Sequence, residues 1–186
     1  MDEPAESLSS DRVELRRWRV TDLDALHRAT HESLDRLVPW MPWAAHHSRQ
    51  QSADFLVRSH DEWETGQAFN YAITSDGVVI GSCGLHRRIG AGALDIGYWI
   101  HPRRTGRGLA TMAAAALVGQ AFHLAGIDRV EIRHDAANPA SGAVARRLGF
   151  TEVERVPVPE GPSASGEVGI HVVWRMTADQ WRGTGT

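Results

Sequence analysis

The chain has 186 residues, about one domain at roughly 150 residues each, and 42% of them are apolar and 23% charged. That balance belongs to a globular domain and excludes collagen-like and disordered chains. The formal charge of −3 argues against nucleic-acid binding driven by bulk charge.

Residues 1–11 are polar and acidic, lack the apolar core of a signal peptide, and read as a tail. Val13, Leu15 and Arg17 alternate with charged neighbours, the mark of a short strand. Thr21 is expected to cap a helix with Asp22 and Asp24 in its first turn and with Leu23, Leu26 and Leu34 along its apolar stripe. Pro39 and Pro42 break the chain within Leu37-Val38-Pro39-Trp40-Met41-Pro42-Trp43. Ser48 and Gln51 form a capping-box pattern, followed by Phe55, Leu56, Ser59 and Trp63 at helical spacing and a stop at Gly66. Phe69–Thr74 and Val78–Leu85 read as a hairpin around Ser75-Asp76-Gly77. The second of these strands carries Cys83, the one cysteine, which forbids an internal disulfide and fits a reducing, cytoplasmic compartment. Gly90 to Gly92 is a turn and Asp95–Ile100 the next strand. After the loop Pro102–Gly108, an alanine-rich helix spans Leu109–Ala125 and ends at Gly126. No apolar run approaches the ~20 residues of a membrane span; the best, Met112 to Val118, is short. Val130–Arg133 is a strand, Ser141–Leu148 a helix stopped by Gly149, Phe150–Val158 a strand, Pro159–Gly166 a polar loop and Val168–Met176 the last strand. Residues 178–186 read as a second tail, frayed from Gly183 to Thr186. The order implies one α/β (α+β) domain over residues 12–177, a mixed, mostly antiparallel twisted sheet flanked by helices.

The segment that carries chemistry is Asp95 to Thr111, where a strand feeds a glycine loop that opens a helix. The first turn of a helix has unpaired N–H groups and the positive end of its dipole, so it binds anions. Gly106 and Gly108 let the backbone approach a phosphate without a Cβ in the way. Arg103, Arg104 and Arg107 add charged donors. A pyrophosphate is the natural ligand. A dinucleotide loop would need a third glycine where Thr111 stands, and a parallel unit before it. A Walker loop would need a lysine, and all 20 basic residues here are arginine.

Arg103-x-x-Gly106-x-Gly108 resembles the Arg/Gln-x-x-Gly-x-Gly/Ala signature of the GNAT acetyltransferase superfamily, whose loop wraps the pyrophosphate of acetyl-coenzyme A. Gly97-Tyr98-Trp99-Ile100 is similar to the strand before it. Asn138-Pro139-Ala140-Ser141 and Arg146-Arg147-Leu148-Gly149-Phe150 resemble the second cofactor motif. Leu37 to Trp43 resembles the substrate loop of the Rim-type branch, which acetylates N-termini of ribosomal proteins and, in relatives, small amines. The resemblance covers roughly residues 12 to 177.

It implies an N-acetyltransferase in which a primary amine attacks the thioester directly, with acetyl-coenzyme A as co-substrate and no metal. It places the coenzyme along Trp99, Ile100, Arg103, Arg104, Thr105, Gly106, Arg107, Gly108, Leu109, Ala110, Thr111, Asn138 and Ser141, with a main-chain N–H of the Trp99–Ile100 stretch polarising the thioester. Ser141 is the candidate donor to the departing thiolate, with helix capping as its alternative role. Asp95, on the strand, and Glu160, in the loop after Phe150, are the candidate bases, with Glu152 behind them. An α-amino group, with its pKa of about 7.7–8.0, needs little help, so a dedicated base is not obligatory.

Seven Trp stand against four Phe and two Tyr. Trp40, Trp43 and Trp63 are the candidate acceptor-side aromatics, although packing alone accounts for Trp63. Ten His show no metal spacing such as H-E-x-x-H. The partner expected is an amine acceptor, protein N-terminus or small molecule, rather than nucleic acid or membrane, and the resemblance allows a homodimer. The competing reading is a non-catalytic acyl-coenzyme-A sensor or partner-binding module.

Overall fold

The computed structural model describes residues 3–183. Eight strands form one sheet: β1 (Ser7–Ser10), β2 (Val13–Arg17), β3 (Ala68–Ser75), β4 (Val78–His86), β5 (Ala93–Ile100), β6 (Arg129–Asp135), β7 (Thr151–Pro157) and β8 (Ile170–Thr177). Their spatial order is β1-β2-β3-β4-β5-β6-β8-β7. Every pair is antiparallel except β5 with β6. The helices are α1 (Leu23–His31), α2 (Leu34–Leu37), α3 (Arg49–Glu64), α4 (Leu109–His123), α5 (Pro139–Arg147) and α6 (Ala178–Gly183). Among the described residues no helix is long and apolar enough to cross a membrane.

The β3–β4 turn follows its sequence closely. Asp76 and Gly77 take positive φ of 52° and 74°, the two-residue geometry that matches the twist of a hairpin. Ser48 caps α3, its side chain accepting the Gln51 N–H at 3.2 Å.

The start of the chain departs from expectation. Residues 7–10, assigned to the tail, form edge strand β1 on β2, with Leu8 opposite Leu15. Leu8 packs on the core and the Tyr71 hydroxyl donates to Ala5 O at 2.9 Å, so burial and hydrogen bonding repay the ordering of this segment. At the other end, residues 178–183 form α6, and Trp181 stacks on Phe122 at 6.3 Å between centroids. The fraying expected at residues 184–186 lies outside the described residues, as do residues 1 and 2.

The first helix also begins and ends differently. Thr21 sits in a 3-10 turn, Val20–Asp22. Asp22 instead accepts the Arg19 N–H at 2.9 Å and two Arg16 bonds at 2.7 and 2.9 Å. Ser33 Oγ donates back to Ala29 O at 2.6 Å, a local bond that competes with helix continuation, so Leu34 starts the separate turn α2.

One face of the sheet packs on α4. Leu15, Ile73, Leu85, Leu94, Ile96, Val130 and Ile132 meet Ala113, Ala114, Leu117, Val118 and Ala121 there, all fully buried. The alanines bring α4 close across β5, and each buried Leu or Ile contributes about 2 kcal/mol. The opposite face carries Trp18, Leu26, Leu56 and Ala72 under α1 and α3. Strand β7 at the sheet edge is exposed along its whole length.

Candidate active site

The β5–β6 pairing is short. Ala93–Ile96 match Arg129–Ile132 and then the register stops. Beyond it β5 stays on β4 through Ile100, whereas β6 stays on β8 through Asp135. The two strands therefore part, and a cleft of about 1180 Å³ opens between them. Gly97, Tyr98, Trp99 and Ile100 line one wall; Arg133, His134 and Asp135 line the other. The His101 N–H donates to Ile80 O at 2.7 Å, and the Trp99 carbonyl oxygen fills the space a Cβ on Gly81 would need. Both thus turn their main-chain groups toward β4. Along an extended strand this direction alternates, so the amides facing the gap are those of Tyr98 and Ile100. That corrects the expectation for Trp99.

The glycine loop closes one end of the cleft. A 3-10 turn, Pro102–Arg104, precedes it. Gly106 and Gly108 have φ of 72° and 75°, a region that only glycine enters without strain. Nothing lies within 4 Å of a Cβ position on Gly106. Gly108 stands at the N-cap of α4 with no side-chain cap, so the first-turn N–H groups face the cleft without an intrahelical partner. Arg104, Thr105, Gly106, Gly108, Leu109, Ala110 and Thr111 line the cleft. Arg103 is exposed and outside it. Arg107 faces a second groove of about 540 Å³, between the β1–β2 turn and the β3–β4 turn, which Arg104 also reaches. Arg12 Nη2 donates to Arg107 O at 2.6 Å, so the N-terminal hairpin braces the loop.

The opposite wall starts at α5. Asn138 caps it, Oδ1 accepting the Ser141 N–H at 3.4 Å, and both side chains border the cleft. The Tyr98 hydroxyl lies 3.1 Å from Ser141 O and 3.1 Å from Ser141 Oγ. Burial pushes the Tyr98 phenol up to about 12, so it stays a protonated donor. Gly142 is required here, because a Cβ would sit 2.7 Å from His134 Nε2.

The far end is the acceptor side of the expected layout. Trp40, Met41, Arg36, Arg88 and Glu167 line it. Trp43 does not; it is 46% exposed in the 3-10 turn Pro42–His46. Trp63 is buried against Phe69 and Tyr71, with ring centroids 5.4 and 5.1 Å away. The Pro39 break brings Trp40 onto the loop after β7, where Gly166 N–H donates to Pro39 O at 2.9 Å.

Each carboxylate lining this end is already engaged. Asp95 is buried and held by Arg88, whose Nε lies at 2.7 Å and whose Nη2 closes a second bond. Asp135 accepts four main-chain N–H groups, from Ala137, Val168, Gly169 and Ile170, at 2.8 to 3.2 Å. Burial acts to raise its pKa, but those bonds prevail and hold it below the usual carboxylate range. Glu160 is exposed and outside the cleft. Its loop sends in Glu167 instead, which accepts Ser163 N–H at 2.7 Å and Ala164 N–H at 3.0 Å.

A sequence model described as "Acetyltransferase (GNAT) domain" matches residues 12–151. The chain belongs to the GNAT acetyltransferase family. Across 94% of its length it is 27% identical to YdaF of Bacillus subtilis (strain 168), a proposed ribosomal N-acetyltransferase, of which the match covers 96%. Its fold is shared by RimL, a ribosomal L7/L12 alpha-N-protein acetyltransferase solved with coenzyme A (TM-score 0.85, 23% identity, 94% and 99% of the two chains). It is shared equally by Mycobacterium smegmatis RimJ (TM-score 0.85, 24% identity, 96% and 91%). The microcin C7 self-immunity acetyltransferase MccE, solved with acetyl-CoA and AMP, follows (TM-score 0.82, 20% identity, 90% and 93%).

Two lining residues, Arg88 and Glu167, lie outside the motifs, and two others, Arg147 and Tyr98, lie within them with no role assigned. Arg147 reaches the cleft while Arg103 does not. Arg88 and Glu167 sit in turns that no spacing rule singles out. Tyr98 had a signal, as one of two tyrosines and directly beside the glycine loop, but packing accounts for a strand aromatic just as well.

Proposed function

We propose that this chain transfers an acetyl group from acetyl-coenzyme A to a primary amine, the N-terminus of a protein or the amine of a small molecule. The observation that carries it is the splayed β5–β6 pair running straight into an uncapped helix start. A long, thin ligand with a diphosphate at one end fits such a slot. Acetyl-coenzyme A supplies the acyl group as a thioester; the chain supplies the rest. The α4 N–H groups and Arg104 hold the diphosphate, with Arg147 on the opposite wall. Asn138 holds the pantetheine arm. The Tyr98 and Ile100 N–H groups face the gap and donate to the thioester oxygen as negative charge develops, a contribution of about 3 kcal/mol for one preorganised donor. Ser141 Oγ donates to the departing sulfur. The Tyr98 hydroxyl fixes the orientation of that donor, because the phenol has Ser141 O and Oγ within reach and no reason to lose its own proton.

None of the three carboxylates suggested by the sequence serves easily as base in this reading: Glu152 is exposed on β7 and paired with Arg155. Asp95 anchors Arg88, and Glu160 lies outside. This same observation favours one alternative, a non-catalytic acyl-coenzyme-A sensor. A free-thiol release assay with acetyl-coenzyme A against amines and N-terminal peptides separates the two. Thiol release that depends on the amine is expected. Tight coenzyme binding with no amine-dependent turnover would leave the sensor.

A further inference from the structure

The acceptor end borders a titratable ring that none of these steps uses. His86 ends β4, opposite Asp95. Its Cε1 lies 3.2 Å from a Cβ position on Gly84 and 3.6 Å from one on Gly97, so the imidazole rests on two glycines. Gly97 lines the cleft, as do Asp95 and Arg88 beside it.

The neighbours fix the state of the ring. Asn70 Nδ2 donates to Glu62 Oε2 at 3.1 Å. A carboxylate only accepts, so the amide NH2 faces Glu62 and Asn70 Oδ1 faces the ring. Oδ1 lies 3.1 Å from His86 Nε2, which must therefore carry the proton. That leaves Nδ1 as a bare lone pair. It is buried and has no hydrogen-bond partner among the described residues. Folded proteins leave few such atoms, because an unpaired buried polar group loses its hydration without compensation. Nε2 points to β3, so Nδ1 is the nitrogen on the β5 side. Three charges face the ring: Arg88 and Asp95 on that side, Glu62 behind Asn70. Burial first, then Arg88, lower the imidazole pKa; Asp95 and Glu62 oppose them and lose. The ring is neutral at pH 7.

We infer that His86 Nδ1 is the proton acceptor for the attacking amine, reached through one water molecule from the cleft. The inference rests on the acetyl-transfer reading above. As the amine nitrogen bonds to the carbonyl carbon it becomes cationic and strongly acidic. One N–H proton passes through the water to Nδ1, and the electron pair of that bond stays on nitrogen as the C–S bond breaks. A base of lowered pKa suffices, because the proton leaves an activated nitrogen rather than a free ammonium. The Asp95 main chain acts to favour the protonated ring. The Glu62–Asn70 pair keeps the lone pair on the correct nitrogen, and burial, aided by Arg88, keeps the ring neutral between turnovers. The proton then returns to solvent.

His86→Gln tests this, because glutamine can still donate to Asn70 but cannot take up a proton. Turnover is measured from pH 5 to 9 with acetyl-coenzyme A and amine both saturating. The native protein is expected to lose kcat along an acid limb lying below pH 6.5. In the variant kcat falls by about tenfold or more, that limb disappears, and KM for acetyl-coenzyme A stays within about twofold. A variant that keeps native kcat and the same acid limb overturns the inference. Nitrogen-15 imidazole NMR of the native protein supplies an arm that needs neither the variant nor activity. A neutral Nε2–H ring at pH 7 is expected, and an Nδ1–H ring overturns the inference. Failure of the native protein to acetylate any amine would instead remove the acetyl-transfer reading, and the two failures are told apart by that assay alone.

Discussion

The two ends of the cleft are built from different materials. At the glycine-loop end the main chain does the work: two glycines at positive φ, an uncapped helix start and the amides of a strand whose neighbour has left. At the acceptor end side chains do it, and every lining carboxylate is tied, Asp95 to Arg88, Asp135 to four N–H groups and Glu167 to its own turn. Glu131, one strand away, is likewise buried between Arg133 and Arg175. These pairings hold the acids in place and fix the shape of that end. The comparison teaches that one end of a cleft can be shaped by backbone geometry and the other by paired charges.

The contrast can be broken most directly at Gly108. Gly108→Asp places a carboxylate at an anion site and a Cβ at φ 75°; coenzyme affinity by calorimetry should fall by about 100-fold or more, on the order of 3 kcal/mol. Unchanged affinity would mean that the loop does not hold the diphosphate. Next in size, Ser141→Ala and Tyr98→Phe should each lower kcat by about tenfold with coenzyme affinity nearly unchanged, and the double variant should be no worse than the poorer single one. Additive losses would separate the two hydroxyls.

Asp135→Asn probes the acceptor end through stability. The folded-state pKa of Asp135 is depressed, so its contribution is present above the unfolded value of about 3.9 and is lost as pH falls through the folded one. The variant should lower Tm at pH 7, and the gap between the two proteins should narrow toward pH 3; a gap independent of pH would assign the loss to geometry instead. The smallest effect is expected for Arg12→Ala, which removes the bond to Arg107 O. A two- to threefold loss of coenzyme affinity, measured by the same calorimetry, corresponds to about 0.5 kcal/mol.

Sheet and helices were largely legible because their patterns are local. The Asp76-Gly77 turn, the Ser48 cap and the alanine face of α4 each state their structure within a few residues. The lining of the glycine-loop end was legible for the same reason, since Arg104 to Thr111 is one continuous run from which Arg107 alone turns away. The acceptor end was not. Trp63 and Trp40 look alike in sequence, yet only the break at Pro39 turns Trp40 into the cleft, while helix phase sends Trp63 into the core. Glu160 and Glu167 share one loop, and which of them points inward depends on how Gly166 meets Pro39. Asp95 reads as a base until Arg88, across the turn at Gly90–Gly92, closes on it. Residues 7–10 read as a tail because four residues show too little alternation to announce an edge strand.

That last feature has practical weight. Ala5 accepts the Tyr71 hydroxyl and donates to Gln120 Oε1 at 3.2 Å, β1 zips onto β2, and the turn after it reaches Arg107 through Arg12. Trimming the first dozen residues would therefore remove an edge strand and the brace on the glycine loop in one cut.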